Sequence, residues 1–253
     1  MEVIFHRLLM KLFGIVGNDL KHSPSAKIYN AAFKKLGIDA HYLPFQVEKA
    51  HFKNLLLCMK LVDLAGLNIT APYKIAVLPL LEKLDASAKA AGSVNTIAKR
   101  GDRWVGFNTD GEGFVQALKQ QRDVSPRGLR VTILGNGGAA RGIAAALKAK
   151  GAKEILLLGR TKKNLKKILS KTDLLIQATP VQPSCPFELL PKEALVADIV
   201  YHPTVTPFLR KARKAKRKTL DGLWMLVHQA NANLKLWTGE EVDPNWLRQI
   251  ALG

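Results

Sequence analysis

The chain has 253 residues, of which 47% are hydrophobic and 23% are charged. These proportions are typical of a globular protein and argue against a disordered chain, and no apolar run reaches the roughly 18 residues that a membrane span needs. The charge is unusual, because 39 Lys and Arg residues against 20 Asp and Glu residues give a formal net charge of +19. The length allows one large domain or two ordinary ones.

Much of the positive charge lies in two short blocks, TKKNLKKILSK at 161–171 and RKARKAKRK at 210–218. Such blocks can bind the phosphates of nucleic acid, they can be solvated helix faces, or they can attract an anionic substrate or cofactor. Neither block contains interleaved aromatic residues that could stack on bases. We therefore favour solvated helix faces and do not expect nucleic acid as a partner.

The two cysteines, Cys58 and Cys185, lie far apart and show no Cys-x-x-Cys or Cys/His spacing. The sequence therefore predicts neither a disulfide framework nor a metal site, and it favours a reducing cytoplasm. Charged residues interrupt the apolar residues of the segment 1–16, so we do not interpret this segment as a signal peptide.

Short β-branched segments alternate with amphipathic helical segments along the chain, which is typical of βαβ units around a parallel sheet. The helical pattern is clearest at 25–37 and 140–151, and a glycine ends the second. A polar turn at 125–128 separates a helix from the next strand and indicates a break between two halves. The predicted strands are 12–16, 40–47, 64–70, a pair within 95–108, 129–134, 154–159, 173–178 and 195–200.

The sequence GNGGAAR at 135–141 joins the predicted strand 129–134 to the predicted helix 140–151. A G-x-G-x-x-A loop alone is a weak signal, but here a second strand follows the helix at the βαβ distance, which is the context of a dinucleotide-binding turn. Gly135 would allow the tight turn, Gly137 would allow close approach of a pyrophosphate, and the helix N-terminus would hold its charge. We therefore favour a dinucleotide site over a turn without a ligand.

The predicted strand 154–159 runs into GRTKK and lacks the acidic residue that holds the ribose hydroxyls of NAD. Arg160, Lys162 and Lys163 instead supply cations, as the 2′-phosphate of NADP requires. The sequence thus favours NADP over NAD as the cofactor.

Polar residues cluster in four segments of the first half, at 22–25, 68–74, 92–96 and 106–114. Ser23 and Ser25 stand at the start of a helix, where they could cradle a carboxylate or simply cap the helix. Lys74 and Asp110 would form a proton-transfer pair if the fold brought them together beside a carbonyl group, although their spacing in the chain does not show that they meet.

Nine motifs follow one another along nearly the whole chain: HSPS, NITAPYK, AGSVNT, GFNTDGEGF, GNGGAAR, GRT, LLIQATPV, DIVYHPTVTPFL and DGLWMLVHQA. In these motifs and their order the chain resembles the shikimate dehydrogenase family. The resemblance implies an α/β protein of two domains, an N-terminal α/β substrate domain and a Rossmann-like NADP-binding domain, which face each other across a cleft. It places the substrate domain at 1–110, completed by C-terminal helices at 223–253, and the cofactor domain at 111–222.

The resemblance also implies an activity, the reversible NADPH-dependent reduction of 3-dehydroshikimate to shikimate in aromatic amino acid biosynthesis. Lys74 and Asp110 match the catalytic pair that moves a proton at the C3 oxygen. The positions that match substrate contacts are Ser23 and Ser25 for the carboxylate, Thr70, Asn95 and Gln229 for the ring hydroxyls, and Tyr201 near the substrate and nicotinamide. The positions that match cofactor contacts are Gly135, Asn136, Gly137, Gly138, Ala139, Arg160, Thr161, Lys163, Thr179, Gly222 and Met225.

The chain departs from the family pattern mainly in the cofactor domain. Only KKNLKKILSKT separates Thr161 from Asp173, where the family usually has a further helix and strand. We therefore expect a shortened cofactor sheet that lacks one edge strand and helix, with the adenine side more exposed. Gly159 and Gln182 replace the usual Asn and Gly, and Pro24 lies inside the serine pair.

Two alternatives stay open. A quinate/shikimate dehydrogenase would use the same hydroxyl-bearing residues, so inspection does not separate the two ring acids. A non-catalytic homologue could use the basic blocks to bind nucleic acid or a protein partner, but such a protein has no physical need for Lys74 and Asp110. We expect a cytoplasmic enzyme that acts on a small molecule, as a monomer or homodimer and without a membrane partner.

Overall fold

The computed structural model describes residues 10–21, 23–159 and 164–253, which form two β-sheets with helices packed on their faces. The strands in the described residues are Lys11–Gly17 (β1), Ala40–Gln46 (β2), Leu64–Ile69 (β3), Lys83–Leu84 (β4), Thr96–Arg100 (β5), Arg103–Phe107 (β6), Arg130–Leu134 (β7), Glu154–Leu158 (β8), Leu174–Gln177 (β9), Leu195–Asp198 (β10) and Lys218–Leu220 (β11). The α-helices are Ser25–Leu36 (α1), Leu55–Leu61 (α2), Tyr73–Ala76 (α3), Ala86–Ala91 (α4), Asp110–Arg122 (α5), Gly138–Ala149 (α6), Leu165–Leu169 (α7), Pro207–Lys214 (α8), Gly222–Thr238 (α9) and Pro244–Leu252 (α10).

The first sheet is mixed, with strand order β2-β1-β3-β5-β6-β4. Strands β1, β2 and β3 are parallel, whereas β5 runs antiparallel to both β3 and β6. The C-terminal helix α9 returns to cover this sheet, and its Trp237 packs 5.0 Å from the ring of Phe13 and donates a hydrogen bond to the carbonyl of Ile97 (3.1 Å). Gly66 lies under the indole, where a side chain would overlap it. Strand β1 and the C-terminal helices α9 and α10 therefore share one hydrophobic core.

The second sheet is fully parallel, with order β11-β10-β9-β7-β8. Helices α5 and α6 pack on one face and α7 and α8 on the other, each face with its own apolar cluster. This is the doubly wound arrangement that the alternating pattern predicts, with the glycine turn between β7 and α6 at the carboxyl end of β7. Strand β8 is an edge strand, and nothing in the described part of the chain pairs beyond it.

Helix α5 lies between the two halves. Gly111 faces α6, where a Cβ would overlap the carbonyl of Gly142, and Gly113 faces α9, where a Cβ would lie 2.7 Å from that of Gln229. The glycines thus let three helix backbones approach closely, and Asp110 at the start of α5 comes to the junction of both halves. The division at 1–110 and 111–222 stays a prediction, since α5 packs on both sides.

The predicted strands all occur, with ends that differ by one or two residues. The segment 95–108 forms an antiparallel hairpin, which turns at Gly101 with φ of +60°. The sequence did not indicate β4 and β11, because they have two and three residues and β11 continues a basic run. Helix α6 begins at Gly138, earlier than the predicted residue 140, since Gly137 is its N-cap. None of the described helices has both the length and the apolar character that crossing a membrane requires.

His228 on α9 is a buried titratable group outside the cleft described below. Burial lowers the pKa of its imidazole to about 4, while the charge of Glu112 acts in the opposite direction. Its ring stacks against Trp224 (centroids 6.3 Å apart), and within the described residues its Nε2 atom has no hydrogen-bond partner. The imidazole of His228 is therefore uncharged in the folded protein above about pH 4.

We expect His228 to make stability depend on pH. Between about pH 4 and pH 6.5 the unfolded chain protonates this residue and the folded chain does not, so the free energy of unfolding falls as the pH falls through that window. Urea unfolding of wild type and of His228→Leu at several pH values tests this. The wild type should lose more stability than the variant between pH 6.5 and pH 4, and parallel pH profiles would contradict the assignment.

Candidate active site

A cleft of about 530 Å³ opens between the two sheets and is lined by residues of both halves. The six predicted substrate positions all line it: Ser23, Ser25, Thr70, Asn95, Tyr201 and Gln229. Lys74 and Asp110 line it as well, together with the cofactor positions Gly137, Gly138, Ala139, Gly222 and Met225. The cleft therefore contains residues from almost all of the nine motifs.

Lys74 and Asp110 form an ion pair in this cleft, although 36 residues separate them in the chain. Lys74 Nζ lies 2.5 Å from Asp110 Oδ2, and the two side chains are only 16% and 6% exposed. Asn95 Nδ2 donates to the other carboxylate oxygen (2.9 Å). The ammonium has three hydrogens, and in the described part of the chain only Asp110 accepts from it, so donors are left for a ligand. A proton can thus pass between this pair and an oxygen atom bound beside it.

Backbone hydrogen bonds fix the short helix α3 that carries Lys74. Strand β3 ends next to Thr70, whose N–H donates to the carbonyl of Val16 (2.9 Å), and the carbonyl of Lys74 accepts from the N–H of Val94 (2.8 Å). Tyr73 is buried against Phe52, with ring centroids 4.1 Å apart. Lys74 therefore projects into the cleft from a backbone that is attached on both sides.

Asp110 occupies the first position of α5, where the helix dipole favours a carboxylate. Asn95 also fixes the backbone just before Asp110, because its Oδ1 accepts from the N–H of Thr109 (2.9 Å). The N–H of Asp110 donates to Asn108 Oδ1 (3.2 Å). The carboxylate is thus oriented both by its helix and by two asparagines.

The two serines of HSPS face each other across Pro24. Ser23 Oγ donates to Ser25 Oγ (3.1 Å) and accepts a long hydrogen bond from the N–H of Ser25 (3.4 Å). The N-cap of α1 is Pro24, which provides no side-chain cap. The hydroxyls therefore line the cleft at an uncapped helix start, which favours the carboxylate cradle over an ordinary cap.

Three further predicted substrate positions come from different elements. Thr70 follows β3, Tyr201 follows β10, and Gln229 lies in the middle of α9. Burial raises the pKa of the Tyr201 hydroxyl, which keeps it a neutral hydrogen-bonding group. The cleft thus offers hydroxyl and amide groups on several sides of a bound ring.

The glycine turn has the form that a pyrophosphate needs. Gly135 has φ of +130°, and a Cβ there would lie 2.6 Å from the carbonyl of Ala178, so this position requires glycine. Gly137 is the N-cap of the twelve-residue helix α6, without a side-chain cap, and a Cβ on it would meet nothing within 4 Å. Open space therefore lies at the start of a helix whose N-cap residue caps none of its N–H groups, and the turn fits a dinucleotide phosphate.

The remaining cofactor predictions have mixed outcomes. Gly135, Asn136 and Thr179 adjoin the cleft without lining it. Asn136 accepts from Arg141 Nε through its carbonyl (3.2 Å) and Oδ1 (3.4 Å), and the Thr179 hydroxyl donates to the carbonyl of Val181 (2.6 Å). The predicted cofactor positions Arg160, Thr161 and Lys163 lie outside the described residues, and so does Lys162, the third cation from which the preference for NADP was inferred.

The sequence missed several polar residues that support the site. Asn68 lines the cleft, accepts from the Tyr42 hydroxyl (2.7 Å) and donates to Thr96 Oγ1 (3.0 Å). Asn233 is fully buried behind Gln229. Only its spacing of four residues from Gln229 on one helix face could have indicated this position.

The basic block 210–218 is largely engaged with the protein itself. Arg210, Arg213 and Arg217 hydrogen-bond to neighbouring oxygen atoms, and Lys218 pairs with Glu193 (3.1 Å). These contacts favour the interpretation of this block as a solvated helix face. The block 161–171 lies partly outside the described residues.

Comparison with known proteins agrees with this geometry. A model described as the shikimate dehydrogenase substrate binding domain matches residues 15–97. The chain is 39% identical over 261 residues to shikimate dehydrogenase (NADP(+)) of Pyrococcus furiosus, covering 96% of this chain and 95% of that protein. It is 34% identical over 273 residues to the enzyme of the same name from Bacillus subtilis, covering 97% and 98%.

Solved structures share the fold. The shikimate 5-dehydrogenase of Thermus thermophilus in complex with NADP(H) and shikimate has a TM-score of 0.88 and 31% identity, covering 96% of this chain and 99% of that one. The 5-ketofructose reductase of Gluconobacter sp. strain CHM43 has a TM-score of 0.84 and 32% identity, covering 96% and 98%. The fold therefore serves related reductases with different substrates. Both the sequence relatives and the two-domain architecture place this chain in the shikimate dehydrogenase family.

Proposed function

We propose that this protein is an NADP-dependent shikimate dehydrogenase, which reversibly reduces 3-dehydroshikimate to shikimate in aromatic amino acid biosynthesis. The observation that carries the proposal is the ion pair of Lys74 and Asp110, 2.5 Å apart inside a cleft that both a polar substrate wall and a glycine turn line. A binding protein has no need for such a pair, because burying two charges costs free energy that folding alone would not repay.

The substrate carboxylate is assigned to the hydroxyls of Ser23 and Ser25. They lie at the uncapped start of α1, where backbone N–H groups and the helix dipole favour an anion. The net charge of +19 adds an attractive field for an anionic ring acid. The ring hydroxyls are assigned to Thr70, Asn95 and Gln229, and Tyr201, which lines the same cleft, is assigned to a position near the substrate and the nicotinamide.

Lys74 and Asp110 are assigned to the proton transfer at the reacting oxygen. When bound, NADPH supplies the hydride that reduces the ketone carbon. Lys74 Nζ donates a proton to the oxygen of that ketone, so that a carbonyl becomes an alcohol with one hydride and one proton added. In the opposite direction Lys74 accepts the hydroxyl proton, and Asp110 stabilises the ammonium that forms. The low exposure of both side chains keeps water from competing at the pair.

The cofactor is assigned to the turn before α6. The N–H groups at Gly137, Gly138 and Ala139 would hold the pyrophosphate, and Gly222 and Met225 would contact the nicotinamide from α9. Arg160, Thr161 and Lys163 would hold the 2′-phosphate, with Gly135, Asn136 and Thr179 shaping the turn. This part of the proposal rests on the sequence of those residues and on the open space in front of Gly137.

A buried serine ties the cofactor turn to the substrate half. Ser93 Oγ donates to the carbonyl of Gly138 (2.9 Å) and accepts from Asn108 Nδ2 (2.9 Å). Gly138 itself packs on Lys74, where a Cβ would lie 2.7 Å from that of the lysine. Because Asn108 also accepts from the N–H of Asp110, one short chain of hydrogen bonds joins the turn to the backbone of Asp110.

The remaining assignments complete the proposal. The substrate domain comprises 1–110 and 223–253, and the cofactor domain comprises 111–222. The enzyme acts in the cytoplasm as a monomer or homodimer, and its partners are small molecules.

The activity is tested by following the absorbance of reduced cofactor with four pairs, shikimate or quinate with NADP or NAD. We expect turnover with shikimate and NADP, because the chain supplies cations and no acid where the cofactor ribose is bound. Preference for quinate would move the assignment to a quinate/shikimate dehydrogenase. Lack of turnover with every pair would favour the non-catalytic homologue.

Replacing the catalytic lysine tests the proton pair. Lys74→Ala should lower kcat by about 10²- to 10⁴-fold, the usual contribution of a positioned acid–base group, with a small effect on shikimate binding. The matched control is Lys60→Ala, since Lys60 is exposed on α2 and does not line the cleft, so its replacement should leave kcat unchanged. Normal turnover of the Lys74 variant would refute the assigned role.

Replacing Ser93 tests the link between the halves. Ser93→Ala should raise the dissociation constant for NADP about three- to tenfold, in line with the loss of one buried neutral hydrogen bond. Fluorescence titration measures it, and exposed Ser125→Ala is the control. Equal affinities in both variants would show that the Ser93 hydrogen bond does not hold the cofactor turn.

A further inference from the structure

Asn233 lies at the centre of a buried polar network directly behind the substrate wall. It is fully buried in α9, one helical turn after Gln229. Its Oδ1 atom accepts from the hydroxyls of Thr96 and Thr109, both at 2.7 Å, and its Nδ2 atom donates to the Tyr29 hydroxyl (2.9 Å) and to Gln229 Oε1 (3.1 Å). All four hydrogen-bonding positions of this amide are therefore in use.

The direction of these hydrogen bonds follows from one backbone group. The N–H of Thr109 can only donate, and it points at Asn95 Oδ1 (2.9 Å), so that atom is an oxygen. Asn95 Nδ2 is then the donor, and its two hydrogens go to its nearest acceptors, Thr109 Oγ1 and Asp110 Oδ1, both at 2.9 Å. Having accepted this bond, the Thr109 hydroxyl has its own hydrogen free for Asn233 Oδ1.

A second chain of hydrogen bonds gives the same direction. Asn68 Nδ2 donates to the backbone carbonyl of Asn95 (3.2 Å), which fixes it as the nitrogen, and it donates to Thr96 Oγ1 (3.0 Å). The Thr96 hydroxyl then gives its hydrogen to its nearest acceptor, Asn233 Oδ1. Two independent backbone groups therefore orient the Asn233 amide with its N–H groups toward Gln229 and Tyr29.

This orientation decides what Gln229 presents to the cleft. Its Oε1 atom faces the protein, because Asn233 Nδ2 donates to it (3.1 Å) and Asn95 Nδ2 lies 3.4 Å from it. Its Nε2 atom donates one hydrogen to the carbonyl of Leu226 (3.1 Å), and the second hydrogen has no acceptor within the described residues. Since Gln229 lines the cleft, the group left for a ligand is an N–H donor and not a carbonyl acceptor.

We propose that Asn233 is a positioning residue that holds Gln229 with its N–H toward the substrate, so that the site selects a ligand with an oxygen acceptor at this place. The proposal rests on the proposed function, which supplies the polyhydroxy ring acid as ligand. Asn233 does not touch the substrate and acts only through Gln229. Its removal should therefore impair substrate binding and leave the proton pair and the cofactor turn intact.

A double-mutant cycle tests the coupling of the two residues. Asn233→Ala should raise the KM for shikimate about five- to tenfold, comparable to one neutral hydrogen bond, with less than about a twofold change in kcat and in the KM for NADP. In a Gln229→Ala background the same substitution should change the KM for shikimate by less than about twofold, because its route to the substrate is already gone. An equal effect in both backgrounds would overturn the proposal.

Tyr29→Phe is the matched control. It removes the other acceptor of Asn233 Nδ2 and leaves the contact with Gln229 in place. Both Tyr29→Phe and Asn233→Ala should lower the Tm, but only the second should raise the KM for shikimate. The same KM change in both variants would show a purely structural role.

Asn233→Asp keeps the shape of the side chain and removes its donors. The aspartate can still accept from Thr96 and Thr109, and it favours a reversed Gln229 amide that turns its carbonyl to the substrate. We expect the KM for shikimate to rise at least as much as in Asn233→Ala. An unchanged KM in this variant would contradict the proposal.

A neutron structure of the deuterated wild-type protein tests the orientation without any assay. Deuterium on the Gln229 atom that faces Asn233 would overturn the inference even in an active enzyme. Deuterium on the other atom, in a protein that fails to oxidise shikimate, would leave the inferred orientation standing and refute the proposed function instead. The two proposals therefore fail by different observations.

Discussion

The ion pair of Lys74 and Asp110 is the constraint on which the site depends. Two charges with side-chain exposures of 16% and 6% persist only where they are paired and hydrogen-bonded, because desolvation costs several kcal/mol per ion. Asn95 and the start of α5 meet this need for the carboxylate, and α3 brings the ammonium to it. Much of the polar structure of the first half can be understood as support for one short contact.

Close backbone packing makes that contact possible. Asp110 belongs to the helix that touches both halves, and α5 can approach α6 and α9 only because Gly111 and Gly113 face them. Gly138 has the same role on the opposite wall, where it lies against Lys74. A β-carbon at any of these positions would push the cofactor turn and the proton pair apart. The glycines therefore set the width of the cleft, while the charged residues set its chemistry.

The sequence predicted the fold far better than the contacts within the site. Alternating apolar segments identified the long strands, since burial and period are local properties, but β4 and β11 are too short to carry a period. The pairing of Lys74 with Asp110 followed from the family resemblance and not from spacing. Asn233 was missed because three of its four partners lie 124 to 204 residues away, and no local pattern records such contacts.

Substrate choice in such a fold must come from side-chain orientation, because reductases of other substrates share the architecture. A site built to hydrogen-bond one group rejects an analogue that lacks it, since a buried donor is then left unpaired. An amide can present either a donor or an acceptor, so a glutamine alone leaves the choice open. In this chain the backbone N–H of Thr109 and the carbonyl of Asn95 fix two asparagines, and through Asn233 they fix Gln229. The hydrogen-bonding preference of the cleft therefore originates in backbone groups that cannot reverse.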